Sequence, residues 1–521
     1  MEATNNTLAP LLSTCKVLRT LALERVCNKC QLEINDDPDC SLLTFNSWPT
    51  CKQQPLANTL TKYVRRVYLD VHYWDILNGD ASEILKNASW TDCAFPSATK
   101  MNVAIKGNYL GGDFYTLEAK THNIVQFVGD INAIMPHIAT VKVEIDNSMK
   151  IEEKSNETSS LLNSLVNMLY KDSKSKYMKI YCDEFRIGLL PNSVSNLTHI
   201  VARTSYNTQA TFMLLHKSAP TVQSLEIRFD SAEEMAHLVC DDSGCPIAYP
   251  GLSHLTLIQW SVERLPSKPS TSSNQIPFPR LRSLKIDMEH PFGDNTLFRG
   301  NCGTLESLQM ALDCITINML KRNEVFAAGK YAKLRNIYIR SIDQESEVES
   351  IPDYIYQSFV LKMSPKAQIF TDQEVMIDQS KVALFCNSPN LADLRVLNLP
   401  SLALHMTSLV PLLKGLRRLE RLECSSLVGD LDIDADCMHA AHFPLASRLR
   451  LLSLTSYDDE HNDAFGCIML LALVCPVLTH CRMSYGWRES FNSFVQGTVE
   501  TAPYSLCRDR LMALKYINEQ Q

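Results

Sequence analysis

Leu281-Arg-Ser-Leu284-Lys-Ile286 is the most informative stretch of this chain, because its spacing of apolar residues recurs along most of the sequence. Every copy has the form apolar-x-x-apolar-x-apolar, and many follow a proline or an aromatic residue and a proline. A repeated unit determines the architecture before any single residue is considered, and it favours an extended surface over a pocket. Further clear copies are Leu305-Glu-Ser-Leu308-Gln-Met310, Leu334-Arg-Asn-Ile337-Tyr-Ile339, Leu394-Arg-Val-Leu397-Asn-Leu399 and Leu449-Arg-Leu-Leu452-Ser-Leu454.

The interval between copies indicates the class of repeat. From Leu197 to Leu334, and again from Leu394 to Leu478, consecutive copies are 24 to 30 residues apart. The gap between Leu334 and Leu394 fits two units, with a degenerate copy near 368–371. A period of about 20 to 30 residues with this apolar core is typical of leucine-rich repeats. The copies begin at Val64, Ala98, Ile138, Tyr177, Leu197, Val222, Leu252, Leu281, Leu305, Leu334, Leu394, Leu419, Leu449 and Leu478.

Two periodicities alternate within each unit. Apolar and polar residues alternate from Leu284 to Asp287, which predicts a strand with one buried face. After the strand of a repeat come apolar residues at helical spacing, and 161–169, in an earlier repeat, is an example. The sequence therefore predicts an α/β leucine-rich-repeat solenoid over 55–500, with a curved parallel sheet on its concave side and helices on its convex side. Residues 501–521 are predicted to form a C-terminal capping helix.

Composition limits the classes of protein to which the chain can belong. The length of 521 residues is too great for one compact core, which suggests several domains or one elongated solenoid. The 50 basic and 58 acidic residues give a net charge of -8, which argues against a nucleic-acid partner. Scattered cysteines indicate a reducing compartment, so we expect a cytoplasmic or nuclear protein. We see no secretory signal and no stretch long enough to span a membrane, and therefore expect no membrane partner.

Motifs that carry catalysis are missing from the sequence: it contains no phosphate-binding G-x-x-x-x-G-K-[ST] and no H-E-x-x-H. Cys27 and Cys30 have the spacing of a zinc or redox pair, with Cys40 and Cys51 downstream, but a second close pair is lacking. We interpret these cysteines as packed side chains. The acidic cluster 458–463 is interpreted as a solvated loop before a helix. The prediction is a protein without catalytic residues, cofactor or metal.

The concave face is the predicted site. Residues between the buried positions of each strand should point outward there, and repeat proteins commonly bind partners on this face. Tyrosine and arginine are frequent anchors of protein interfaces, so a protein partner is expected. The alternative is that this face is simply the solvated side of a sheet. The predicted partner-binding residues are Tyr68, Asp70, Tyr181, Asp183, Glu226, Arg228, Lys285, Asp287, Tyr338, Arg340 and Arg482.

Residues 1–50 do not fit the repeat, and 8–34 have the pattern of one or two amphipathic helices. This segment resembles the second half of an F-box, in which a short helix reading L-x-x-V-C-K-x-W-R leads into a second helix. Leucine stands at Leu18, where the family usually has tryptophan. The first half of an F-box is not present in the sequence, which suggests a truncated gene model or loss of the ligase contact. The matching residues are Leu12, Cys15, Lys16, Leu18 and Arg19.

An F-box-like segment before irregular repeats resembles the F-box/leucine-rich-repeat proteins, and Leu60–Leu69 is similar to the start of repeats in their fungal members. This resemblance implies a substrate receptor of a Skp–cullin–F-box ubiquitin ligase. It also implies contacts to a Skp-type adaptor from Leu12, Cys15 and Leu18. Two alternatives stay open: a scaffold or regulatory binding protein with no ligase link, and an enzyme with a dispersed active site.

Overall fold

The structure of the chain is a computed structural model, which describes the residue ranges given at the end of this paragraph. The chain divides into two compact units, Met1–Leu252 and Ser253–Gln521. Within each unit, strands alternate with turns and helices. The described residues are 29–34, 42–45, 61–87, 95–107, 116–145, 156–171, 175–180, 196–203, 208–229, 236–241, 243–259, 277–287, 303–312, 331–341, 366–373, 379–388, 391–429, 447–455, 467–468, 471, 475–483 and 515–517.

The first unit contains a sheet in which strands β3 to β8 pair in parallel, each with the next along the chain. Strand β1 pairs in parallel with β3 and antiparallel with β2. The strands are β1 (Lys29–Ile34), β2 (Leu42–Phe45), β3 (Arg66–His72), β4 (Lys100–Lys106), β5 (Thr140–Ile145), β6 (Ser175–Ile180), β7 (His199–Arg203) and β8 (Ser224–Phe229).

The second unit contains strands β9 to β18, and each of them pairs in parallel with the next. Strand β13 lies where the sequence predicts the degenerate copy, which confirms that two units fill the long gap. The strands are β9 (His254–Gln259), β10 (Ser283–Asp287), β11 (Ser307–Leu312), β12 (Asn336–Ser341), β13 (Ile369–Gln373), β14 (Val396–His405), β15 (Arg421–Val428), β16 (Leu451–Leu454), β17 (His480–Met483) and β18 (Lys515–Ile517).

Helices follow several of the strands, and the predicted alternation of parallel strands and helices is confirmed. The described helices of the first unit are α1 (Tyr73–Asn78), α2 (Asp80–Asn87), α3 (Leu117–Ile134), α4 (Asn156–Tyr170), α5 (Thr208–Ser218) and α6 (Ala236–Val239). Those of the second unit are α7 (Gln379–Asn387) and α8 (Met406–Gly415). Helix α5 ends just before Pro220, which lacks the backbone N–H that a further helical turn needs.

Alternate residues of each strand are buried, and strand pairing joins them into apolar rows. In β3, Val67, Leu69 and Val71 are each at most 1% exposed. Each such side chain contributes about 1.5–3 kcal/mol when fully buried, and burial requires neighbouring strands on both sides. One row of the second unit runs through the register partners Leu255, Leu284, Leu308, Ile337, Phe370, Leu397, Leu422, Leu452 and Cys481.

A tight turn leads into the strands and explains why many copies follow an aromatic residue. In one copy, the Leu281 N–H donates to the carbonyl oxygen of the fully buried Phe278 at 3.4 Å. The carbonyl oxygen of the next residue, Arg282, accepts hydrogen bonds from two N–H groups of the following repeat, those of Glu306 at 2.7 Å and Ser307 at 2.9 Å. The same arrangement recurs from Arg335 to Arg450. Each of these carbonyl groups, which binds two N–H groups, sets the register between one repeat and the next.

The helices pack against the buried face of the sheets. The Phe212 ring of α5 lies 6.4 Å from the Phe229 ring of β8, and the Phe385 ring of α7 lies 5.3 Å from the Phe370 ring of β13. The buried Tyr170 hydroxyl at the end of α4 donates to the carbonyl oxygen of Tyr177 at 2.6 Å. Burial raises the pKa of the Tyr170 hydroxyl. Because these helices cover one face of each sheet, the opposite face carries the half-buried alternate residues.

Both ends of the chain differ from the sequence prediction where they are described. Within 1–50, which is predicted to be helical, Lys29–Ile34 and Leu42–Phe45 are strands. The reason is a period of two: Cys30, Leu32 and Ile34 alternate with polar residues, and β1 covers the edge of β3. Within 501–521, predicted to be a capping helix, Lys515–Ile517 is a strand that extends the sheet from β17.

Gly415 ends α8 where this helix approaches α7. A Cβ atom at this position would lie 2.5 Å from the carbonyl oxygen of Cys386. Gly415→Ala is therefore expected to lower the free energy of unfolding by about 1–3 kcal/mol, because overpacking against a backbone outweighs the gain of about 1 kcal/mol in helix propensity. Chemical denaturation followed by circular dichroism measures the change.

Gly129 in α3 is the matched control, because a Cβ there would meet no atom within 4 Å. Gly129→Ala is expected to raise the free energy of unfolding by about 0.5–1 kcal/mol. Equal effects of the two substitutions would contradict the close approach of α7 and α8.

Three buried thiols should make the second unit sensitive to alkali. Burial raises the pKa of Cys475 to about 11 and that of Cys481 to about 12, and it also raises the pKa of Cys424. Unfolded thiols ionise near pH 8.5, so above that pH the unfolded chain has released protons that the folded chain retains. The free energy of unfolding is then expected to fall by about 1.4 kcal/mol per pH unit for each thiol.

Urea denaturation at a series of pH values from about 8 to about 10.5 measures this slope. The double variant Cys424→Ala/Cys481→Ala should be less stable near pH 8, because it loses buried contacts, but its stability should decline less steeply as the pH rises. An unchanged slope in that variant would show that these thiols do not cause the alkaline loss.

Candidate functional site

The exposed face of each sheet, opposite the helices, is the candidate interaction surface. In β3, β4 and β5 every second residue is half-buried, apart from the exposed Lys100 at the start of β4, and the residues between them are buried. Strand pairing places these half-buried residues in rows. One row of the first unit contains Tyr68, Asn102, Lys142, Tyr177, His199 and Ser224.

Four side chains of the first unit form a continuous group, here called the Tyr177 cluster: Glu144, Lys142, Tyr177 and His199. The Lys142 ammonium lies 3.1 Å from the Glu144 carboxylate and 5.2 Å from the centre of the Tyr177 ring. The His199 ring stacks on the other side of this group, with its centre 5.3 Å from that of Tyr177 and the planes 20° apart. Three neighbouring strands thus present a charge pair and an aromatic stack side by side.

The orientation of the His199 ring is fixed by its neighbour. The Thr198 hydroxyl oxygen lies 3.0 Å from the Lys176 carbonyl oxygen, to which it donates. The same oxygen lies 2.9 Å from His199 Nδ1, within hydrogen-bond distance. This bond fixes the orientation of the ring that stacks on Tyr177, and the cluster is preorganised as a result.

Charge pairs lie on either side of this cluster. The Lys106 ammonium is 2.6 Å from the Asp70 carboxylate, and Arg66 Nη1 donates to the Tyr68 hydroxyl at 3.2 Å. On β8, the Glu226 carboxylate and the Arg228 guanidinium are 3.3 Å apart. These groups are half-buried, so they offer both charge and contact area to a partner.

The exposed face of the second unit has its own charge pair. The Arg340 guanidinium of β12 lies 3.6 Å from the Asp287 carboxylate of β10, so this pair reaches across β11. Asn398 Nδ2 donates to the Thr371 hydroxyl at 3.0 Å across β13 and β14. Lys285, Tyr338 and Arg482 are half-buried members of one row of this face.

The structure brings several predicted site residues into contact and separates others. Glu226 pairs with Arg228, and Asp287 pairs with Arg340, whereas Tyr68 and Asp70 bond to residues that sequence reasoning did not select. The predicted residues Tyr181, Asp183, Leu12, Cys15 and Leu18 lie outside the described residues.

One strand lies nearer the amino terminus than the sequence predicts, the strand of the copy that begins at Tyr177. Strand β6 ends at Ile180, and its register places Tyr177 beside Lys142 and Lys179 beside Glu144. These two residues hold the positions that the sequence assigns to Tyr181 and Asp183. The physical reason is that a strand can be shifted by two or four residues without moving any side chain to the other face.

Sequence reasoning did not select Arg66, Lys106 or His199, although all three contact residues of the exposed face. A signal for His199 was present: the copy Leu197-Thr-His-Ile200 places it one residue before the buried Ile200, just as Tyr338 stands one residue before the buried Ile339. Its stacking partner could be identified only from the register of β6 and β7.

No group of three or more His, Cys, Asp or Glu side chains among the described residues could hold a metal ion. None of the described helices is both long and apolar enough to cross a membrane. Comparison with known proteins found no match either, neither to a protein-family model nor to a curated protein.

Proposed function

We propose that this chain is a leucine-rich-repeat protein that recognises another protein through the exposed faces of its sheets. The observation that carries the proposal is the Tyr177 cluster, in which a charge pair and two stacked rings are held in place on the sheet surface. Tyrosine is a common anchor of protein interfaces, and a ring that is already fixed loses little conformational entropy on binding.

Stability alone is a weak explanation for these side chains. Exposed ion pairs contribute only about 0–1 kcal/mol to folding, and the exposed face has pairs on both units. Such charges contribute more to the specificity and rate of association than to folding. A surface with both signs of charge and interleaved aromatic rings fits a folded protein partner with a mixed, complementary surface.

The resemblance of residues 12–19 to an F-box supports a more specific proposal, substrate reception for a Skp–cullin–F-box ubiquitin ligase. In that role the chain holds a substrate while other subunits carry out the transfer. A scaffold or regulatory binding protein without a ligase link is the alternative. Both roles use the exposed face, and they differ in whether the amino-terminal segment binds an adaptor.

Photo-crosslinking tests the exposed face directly. We expect p-benzoylphenylalanine at Asn102 of the first unit or at Gln309 of the second, each half-buried on the exposed face of its own sheet, to crosslink a discrete protein in cell extract. The same group at His122 or Met213, which are exposed on α3 and α5, should not. The yield at Asn102 should fall by about tenfold in the variant Lys142→Ala/Tyr177→Ala, because each anchor contributes more than about 1 kcal/mol.

The matched control is His122→Ala/Met213→Ala, which removes two exposed side chains from the helices and should leave the yield unchanged. Crosslinking from the helix positions alone would refute the proposal and would place recognition on the opposite side.

A binding assay with a purified Skp-type adaptor distinguishes the two roles. If the chain is a ligase receptor, it should retain the adaptor, and Leu12→Asp/Leu18→Asp should abolish retention because charged side chains do not fit an apolar helix interface. Leu117→Asp, at a position that is 52% exposed on α3, is the control and should have no effect. Failure of the unaltered chain to bind the adaptor would leave the scaffold role.

A further inference from the structure

The edge of the second unit's sheet at which the strands begin is crowded with basic residues. In the turn from Phe278 to Arg282, the two residues between the buried Phe278 and Leu281 are exposed. Arg282, which follows Leu281, is exposed as well. In the second unit these positions, together with the first residue of β15, form a surface that we call the arginine edge. Its exposed members are Arg280, Arg282, Lys333, Arg335, Lys366, Arg395, Arg417, Arg418, Arg421, Arg448 and Arg450.

Backbone hydrogen bonds hold this edge in order. In each of seven turns, one carbonyl oxygen accepts hydrogen bonds from two N–H groups of the next repeat. These carbonyl oxygens belong to Arg282, Glu306, Arg335, Gln368, Arg395, Glu420 and Arg450. These residues therefore follow one another along the edge at the strand spacing of about 4.8 Å. The only carboxylates in the same turns and strand entries, within the described residues, are those of Glu306, Asp393 and Glu420.

The turn does not require arginine for its own geometry. One copy of the first unit, Phe95-Pro96-Ser97-Ala98-Thr99, makes the same turn with proline and small polar residues and no cation. The corresponding hydrogen bond from Ala98 N–H to the Phe95 carbonyl oxygen is 3.1 Å long. Since one backbone conformation accommodates both sets of residues, the basic side chains of the second unit serve a purpose other than folding.

Most of these cations have no carboxylate beside them. Over the stretches that the structure describes, only Arg395 and Arg418 of this set form ion pairs, with Glu420 at 3.9 Å and with Asp393 respectively. A concentration of unpaired guanidinium groups repels itself, and it is the more unusual in a chain whose net charge is -8. Such a surface is stabilised when an anionic partner covers it.

We propose that the arginine edge binds an acidic segment of a partner protein, one rich in aspartate and glutamate. Guanidinium groups bind carboxylates through paired hydrogen bonds, and nine of the eleven cations are arginine. From β10 to β16 the edge spans about 30 Å, which an extended peptide of about ten residues matches. This site is separate from the exposed face, so it does not rest on the proposed function of that face.

A nucleic acid fits this edge less well. Sites for single strands combine cations with exposed aromatic rings on which bases stack, whereas the rings nearest these turns, Phe278 and Tyr331, are fully buried. The interleaved carboxylates of Glu306 and Glu420 would also repel a uniform phosphate backbone that runs along the edge. An acidic peptide can place neutral residues opposite these two positions.

Fluorescence anisotropy with a labelled peptide of aspartate, glutamate and serine, about ten residues long, tests the proposal on the full chain. We expect saturable binding that weakens as salt is added. The variant Arg335→Gln/Arg417→Gln/Arg450→Gln removes three unpaired cations and should bind about tenfold more weakly. The single variant Arg417→Gln should show a smaller loss in the same direction.

The control Arg65→Gln/Lys100→Gln/Lys171→Gln removes three exposed cations of the first unit and changes the net charge equally. It should leave the affinity within about twofold. Both variants should keep the unfolding midpoint of the unaltered protein, because all six side chains are exposed. Absence of peptide binding, or equal losses in the two triple variants, would overturn the proposal.

Two further probes decide between sources of negative charge: a single-stranded RNA of similar length, and vesicles that contain phosphatidylserine. Each should bind more weakly than the acidic peptide. Tighter binding of either probe that the arginine-edge variant abolishes would overturn the proposal and would assign the edge to that ligand instead.

Discussion

Burial that is shared between neighbours is the constraint behind every element of this structure. A strand such as β12 places Ile337 and Ile339 on one face, and those side chains are covered only when β11 and β13 lie beside it. The turn before each strand makes this arrangement repeatable, because one carbonyl oxygen binds two N–H groups of the next unit. Register, turn and apolar row are therefore parts of a single requirement, and no repeat satisfies it alone.

The same requirement leaves two surfaces on which the sequence is free to vary. Positions between the buried residues form the exposed face, where the Tyr177 cluster and the pair of Asp287 and Arg340 lie. Positions in the turns form the strand-entry edge, where Pro96 and Ser97 of one copy correspond to Arg417 and Arg418 of another. Because neither surface contributes much to folding, the residues found there are the best guide to what the protein binds.

Most of the architecture could be predicted from the sequence, because a period of two and a period near 24 to 30 residues are both visible in it. Residues such as Leu284 and Leu308 identify buried positions without any knowledge of their neighbours. The details of the site could not be predicted in this way. The contact of Tyr177 with His199 requires the register of β6, and the pair of Arg340 and Asp287 connects strands that are not adjacent. The helices predicted near both ends were wrong where strands are described, because Lys29–Ile34 and Lys515–Ile517 pair with the open edges of β3 and β17.

The antiparallel strand at the start of the first unit has a consequence for self-association. An open parallel edge on β3 would offer its N–H and C=O groups to any compatible strand, including one from another molecule of the same protein. Strand β1 occupies that edge, and β2, only four residues long, closes over β1 in the reverse direction. A short strand that runs backwards is a poor template for a further parallel copy. The hairpin therefore acts as a terminator that keeps a sheet of stackable units from growing into a fibre.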